Sequence, residues 1–170
     1  MSDATAATTH HSEHRTELTL EASTMALYVS VVLLAALVAL EDGATTPDRE
    51  MLGLIWGTTL GLALAHYFAF RVASRLVRGT TLHKRDGEIA LAQLAGAAVV
   101  AALCTIPVLL LPDSSKNDSV RFELAILLGI AGYAAGRTGG ASRLRSLVTG
   151  VIVLVLGVGV AFVKNALIGH

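Results

Sequence analysis

One cysteine and only 15% charged residues in 170 positions exclude a good deal before any motif is read. A single thiol, Cys104, cannot close an intrachain disulfide or build a thiolate zinc site; its expected role is that of a small apolar packing residue. Formal charge balances at zero, with 13 basic and 13 acidic residues. The basic excess that phosphate backbones require is therefore missing, and nucleic acid is not an expected partner. Also missing are a glycine-rich phosphate loop, a metalloprotease motif and a nucleophile elbow, so no enzyme activity is expected. The first 21 residues lack a basic region leading into a short apolar core with a cleavage site, which argues against a cleaved signal peptide. Their Ser, Thr, Ala and His content predicts instead a polar, disordered cytoplasmic tail over 1–21.

What the chain has in abundance is apolar length. Hydrophobic residues make up 54% of it, more than a soluble domain of this size can hide. Crossing about 30 Å of hydrocarbon takes roughly 20 apolar residues at about 1.5 Å each. Near-sufficient runs occur at Ser23 to Leu40, Met51 to Phe70, Ala90 to Leu111 and Leu147 to Val163. The third contains Pro107, which lacks an N–H and is expected to kink its outer end. Phe122 to Gly136 offers only 15 residues; it is read as a fourth span in preference to a re-entrant segment, with Arg121 and Arg137 snorkelling outward from its ends. The expectation is an all-α polytopic membrane protein whose five-helix transmembrane domain fills 22–170.

Basic residues supply an orientation, because short cytoplasmic loops collect Lys and Arg. With the N-terminus inside, the inner face holds Arg15, Arg71, Arg75, Arg78, Lys84, Arg85, Arg137, Arg143 and Arg145, and the outer face Arg49, Lys116, Arg121 and Lys164. Nine against four predicts N-terminus in, C-terminus out. Arginine outnumbers lysine ten to three, a compositional hint of a bacterial chain and hence of the cell (inner) membrane. Thr46 before Pro47, with Asp48 and Glu50 following, predicts a helix start, and that helix is expected to run to about Arg78. Arg71, Arg75 and Arg78 share a face. They are read first as topology anchors and second as a site for anionic lipid headgroups.

Helices in lipid associate through close packing of small residues more than through apolar burial. Gly53, Gly57, Gly61, Ala65, Ala69 and Ala73 recur every four positions in the second run, Gly132, Gly136 and Gly140 repeat the spacing in the fourth, and Gly150, Gly157 and Gly159 dot the fifth. A compact, homo-oligomeric bundle is expected, and the spacing leaves open whether a ridge is met within one chain or between two. His66, in "LALAHYFAFRVASR", is an ionisable group about 7 Å from its helix's midpoint, a functional candidate by default. It is expected to border a helix contact. The readings open to it are an interhelical hydrogen bond from a neutral imidazole, a proton or metal role, and exposure at the lipid interface. In "HHSEH", His10, His11 and His14 are a possible zinc, nickel or copper cluster, against the commoner alternative of a disordered tail with adventitious affinity. Glu41, Asp42, Asp48 and Glu50 form an acidic outer loop, and Glu123 is expected to open the fourth helix.

Taken in order, "AHYFAFRVASR", "IPVLLLP" and "GYAAGRTGGASRLRSLVTG" on five spans resemble the vacuolar iron transporter family of divalent-cation carriers. The likeness covers about 110 residues. It implies a homodimer with a cation path along the subunit interface, driven by proton exchange. Ala65, His66 and Tyr67 stand at that family's Gly-Glu-Tyr signature and Leu62 at its methionine, no aspartate lies within the first span, and the cytoplasmic metal-collecting helices are replaced by a short connection. The resulting expectation is a cation transporter or channel for a divalent metal or a proton, without a resident cofactor, in contact with membrane lipid. His66 and Tyr67 would lie near the path and Glu41 and Glu123 near its outer mouth. The alternative is a non-transporting scaffold or regulatory subunit that binds another protein through its helices.

Overall fold

The computed structural model describes residues 2–40, 46–78 and 84–168, and side-chain positions over 14–40, 46–76, 85–112, 115–160, 163 and 166. Five helices follow one another: α1 (Ser2–Val38), α2 (Asp48–Arg78), α3 (Lys84–Leu110), α4 (Asp113–Thr138) and α5 (Arg143–Ile168). Each contains a stretch long and apolar enough to cross a membrane: His14–Val38, Asp48–Leu76, Arg85–Leu110, Ser115–Thr138 and Arg143–Val160. The chain is thus all-helical with five candidate spans.

Two boundaries differ from the sequence expectation. The polar N-terminal segment is helical from Ser2 as part of α1; from His14 onward, ion pairs and hydrogen bonds to α3 supply partners that composition alone does not reveal. The fourth run is no marginal 15-mer, because α4 starts at Asp113 immediately after Pro112 and gains about ten polar residues ahead of Phe122. Proline at that position suits a helix start, since its missing N–H would find no partner there anyway. Glu123 therefore sits in the third turn of α4 instead of opening it. In α2 the first helical hydrogen bond, from Met51 N, goes to the Pro47 carbonyl at 3.0 Å; Asp48 and Glu50 occupy the first turn as expected.

Helix α1 is the central element, packing on α2, α3, α4 and α5. Its buried positions, among them Met25, Val29, Leu33, Leu34 and Leu37, are spread round more than one face, as a helix surrounded by others requires. Around it the core is completed by Met51 and Ile55 from α2, Ala97, Cys104 and Val108 from α3, and Val120, Leu124 and Leu128 from α4. Arg121, expected to snorkel outward, instead reaches across to the end of α1: its Nη2 donates to the Leu37 carbonyl at 2.6 Å and to the Leu40 carbonyl at 3.2 Å. A cation there meets the negative end of the helix dipole.

Glycine sets two of the closest approaches. A Cβ built on Gly96 of α3 would lie 2.1 Å from the Ala22 carbonyl oxygen of α1, and one on Gly132 of α4 would lie 2.9 Å from Gly150 Cα of α5. Gly136 and Gly157 are closed in the same way, by Ser146 of α5 and Leu128 of α4 respectively. The α4–α5 turn ends with Ala141 N donating to the Gly136 carbonyl, and Gly140 there takes φ +76, a conformation that other residues adopt only with strain.

Candidate functional site

Helix α2 leans on α3 and, to a lesser extent, on α1. Its covered stripe is Met51, Ile55, Thr59 and Ala63, and in its N-terminal half Trp56 Nε1 donates to Thr105 Oγ1 of α3 at 3.1 Å. Beyond Ala63 the covering stops. Phe68 is 70% and Leu76 83% exposed.

His66 falls where the covering has ended. At 100° per residue it stands about 20° from both Ile55 and Thr59 on the helical wheel, so it continues the bundle-facing stripe of α2. Yet it is exposed and forms no hydrogen bond or ion pair with another of the described residues. The helix contact expected beside it is not supplied by the single chain. Next to it, Tyr67 accepts a hydrogen bond from Arg71 Nη1 at 3.1 Å, with the guanidinium 5.7 Å from the ring centroid. Exposed Arg75 lies one turn further on; the Arg78 side chain lies outside the described positions.

The small-residue ridge of α2 turns outward. Built Cβ atoms on Gly53, Gly57 and Gly61 meet nothing within 4 Å, and Ala65 is exposed. Gly132, Gly136, Gly150 and Gly157 are consumed inside the chain, whereas the α2 glycines are not. Gly57 lies about 180° from His66 on the wheel, so glycines and imidazole leave α2 on opposite sides.

Glu123 occupies a second position inside a candidate span. It is eight residues, about 12 Å, into the candidate span Ser115–Thr138 and roughly 5 Å from its middle. Its Oε2 is sealed from solvent and has no hydrogen-bond partner. The carboxyl lines a cleft of about 630 Å³ between α3 and α4, together with Leu103, Pro107 and Ser119. Pro107 has no N–H to give to the Leu103 carbonyl one turn earlier, and the rest of the lining is apolar apart from Ser119. Leaving such an oxygen unpaired costs about 1–3 kcal/mol.

At the other end of the bundle, α1 and α3 are laced by polar side chains. Glu17 accepts from Arg85 Nε at 3.1 Å and from its Nη2 at 2.7 and 2.8 Å. Gln93 donates to Glu21 at 2.7 Å, and His14 Nε2 lies 2.9 Å from Glu88 Oε2. His14, Glu17 and Glu21 share one face of α1 at i, i+3 and i+7, a spacing that could have flagged this contact. Across the molecule, Lys116, only 4% exposed, pairs with Asp48. Glu41 and the side chains of His10 and His11 lie outside the described residues. Among the described residues no three His, Cys, Asp or Glu side chains converge as metal ligands.

Comparison with family models, with curated proteins and with solved structures finds no match to this chain. The resemblance to the vacuolar iron transporters therefore rests on the residues quoted for it.

Proposed function

We propose that the protein is a small carrier or channel for a cation, a proton or a divalent metal, in a bacterial cell membrane with its N-terminus in the cytoplasm. The observation that carries the reading is Glu123, a half-buried carboxyl inside a candidate span whose Oε2 is sealed from solvent and finds no hydrogen-bond partner among the described residues. Ionisable groups held at such depth without compensation mark ion pathways more often than structural contacts. His66 supports it from α2, because it faces the bundle side at a level that the bundle leaves open and about 6 Å from the middle of its own span. Water entering from the inner face can reach it there. Tyr67 follows it on α2 and lines the adjoining groove. The family likeness adds the expectation of proton-coupled exchange by a homodimer.

The open glycines of α2 supply the dimer contact in this proposal, since two helices meeting at Gly53, Gly57 and Gly61 approach closely without losing any internal packing. The same ridge also favours the second reading, a non-transporting scaffold or regulatory subunit that docks another protein's helix.

Purified protein in liposomes, assayed for Fe²⁺, Mn²⁺, Zn²⁺ and H⁺ flux, decides between them. Flux of at least one cation is expected, falling about tenfold or more in Glu123→Gln and in His66→Ala, while Gly57→Leu folds normally and loses the dimer. Folded protein without flux, or flux unchanged in both variants, removes the transport reading and leaves the scaffold.

A further inference from the structure

Where α2 parts from α3 below Ala63, a groove of about 470 Å³ opens between them. Its walls are Leu60, Ala63 and Leu64 from α2 and Ala90, Leu91 and Leu94 from α3, with Met25 of α1 among its lining residues. Gln93 also lines it, but its amide is engaged by Glu21, so the groove presents an apolar surface. From Leu60 to Tyr67 it runs about 10 Å along the helix, two-thirds of the roughly 15 Å hydrocarbon depth of one leaflet.

Tyr67 belongs both to this groove and to a second cleft of about 300 Å³ lined by Phe68, Arg71, Val72 and Arg75. The apolar slot thus leads directly to two guanidiniums on successive turns. Arg71 is oriented by the Tyr67 hydroxyl, and among the described residues neither Arg71 nor Arg75 has a carboxylate partner. Arg85, nearby in sequence, is already matched by Glu17. Two cations at the end of an apolar slot complement one molecule with a hydrocarbon tail and an anionic head. They disfavour a second copy of the chain seated in the same way, because its own Arg71 and Arg75 would face like charges.

We infer that the α2–α3 groove is a binding site for an anionic phospholipid, its acyl chain lying along Leu60, Leu64 and Leu94 and its phosphate held by Arg71 and Arg75. The site depends on the five candidate spans and not on cation transport. The lipid fills the groove between Leu64 and Leu94, whose lining does not include His66, and ties that part of α2 to α3.

Native mass spectrometry of the full chain with dioleoyl phosphatidylglycerol and dioleoyl phosphatidylcholine tests it, since the two probes differ only in the headgroup. Preferential retention of phosphatidylglycerol is expected. Arg71→Ala/Arg75→Ala lowers that retention about 30-fold, two basic groups each contributing roughly a five- to sixfold gain. Gly87→Leu fills the groove without a clash, since a Cβ there meets nothing within 4 Å, and lowers retention of both lipids. Arg143→Ala/Arg145→Ala removes the same charge elsewhere and leaves retention unchanged. Equal retention of the two lipids, an equal loss in the Arg143/Arg145 variant, or disulfide cross-linking of two chains through Leu64→Cys in a Cys104→Ala background overturns the proposal.

Discussion

Gly96→Val is expected to lower the stability of the bundle by about 3 kcal/mol or more, and Gly96→Ala by nearly as much. A Cβ at this position meets backbone, not the movable end of a side chain: 2.1 Å from the Ala22 oxygen, 2.8 Å from its carbonyl carbon and 3.0 Å from its Cα. Neither helix can retreat cheaply. On one side of the crossing Arg85 and Gln93 hold α3 to Glu17 and Glu21 of α1, and on the other Ala97, Ala101 and Val29 are fully or almost fully buried. Separating α1 from α3 to admit a methyl group opens both regions together. Gly159→Val is the comparison, because a Cβ at Gly159 of α5 meets nothing within 4 Å and the position lies outside the proposed dimer contact. Unfolding in mixed micelles with increasing dodecyl sulfate measures both; a Gly96→Ala protein as stable as the parent would show that the crossing is not tight.

Arg121→Met is expected to cost about 2–4 kcal/mol. Its guanidinium donates to the Leu37 carbonyl, which also accepts from Leu40 N at 3.2 Å, and to the Leu40 carbonyl just past the last turn of α1, where helix carbonyls run short of backbone donors. Charge-assisted bonds of this kind contribute roughly 1.5–3 kcal/mol, and carbonyls abandoned near the membrane add their own desolvation penalty. Methionine keeps the packing of the stem and removes only the head, which isolates the polar contribution. Arg121→Lys should restore less than half, since an ammonium cannot fork across two carbonyls with the guanidinium's planar geometry. The same micelle titration reads the result, and an Arg121→Met midpoint equal to the parent's would mean that water caps α1 equally well.

Five apolar runs, the start of α2 near Pro47 and its end at Arg78 were legible in the sequence because each depends on local chemistry: hydrocarbon length, first-turn acids and the absence of breakers. The length of α4 was not, since Ser114, Ser115, Asn117 and Asp118 read as loop residues and become helical only when Lys116 meets Asp48 and Arg121 meets the end of α1. Those partners are 68 and 84 positions away. The N-terminal helix was hidden for the same reason, its Glu17 and Glu21 finding partners on α3. Glycine spacing identified smooth helix faces but not what covers them. Gly132 and Gly136 receive α5, while Gly53 and Gly57 receive nothing from their own chain. His66 shows the corresponding limit for the site: its place on the bundle-facing stripe follows from counting residues, whereas its exposure depends on where α3 ceases to follow α2.

The two intramembrane candidates and the lipid groove all presuppose one arrangement, five crossings of a membrane with α2 and α4 spanning it fully. Accessibility of engineered thiols tests this most directly. In a Cys104→Ala background, Ser142→Cys lies in the α4–α5 turn and Asp113→Cys at the start of α4, the two ends of a single predicted span. An impermeant thiol reagent added outside intact cells is expected to label Asp113→Cys and to reach Ser142→Cys only after the membrane is opened. Labelling of both from outside, or of neither, would contradict a spanning α4 and with it the placement of Glu123 within the membrane.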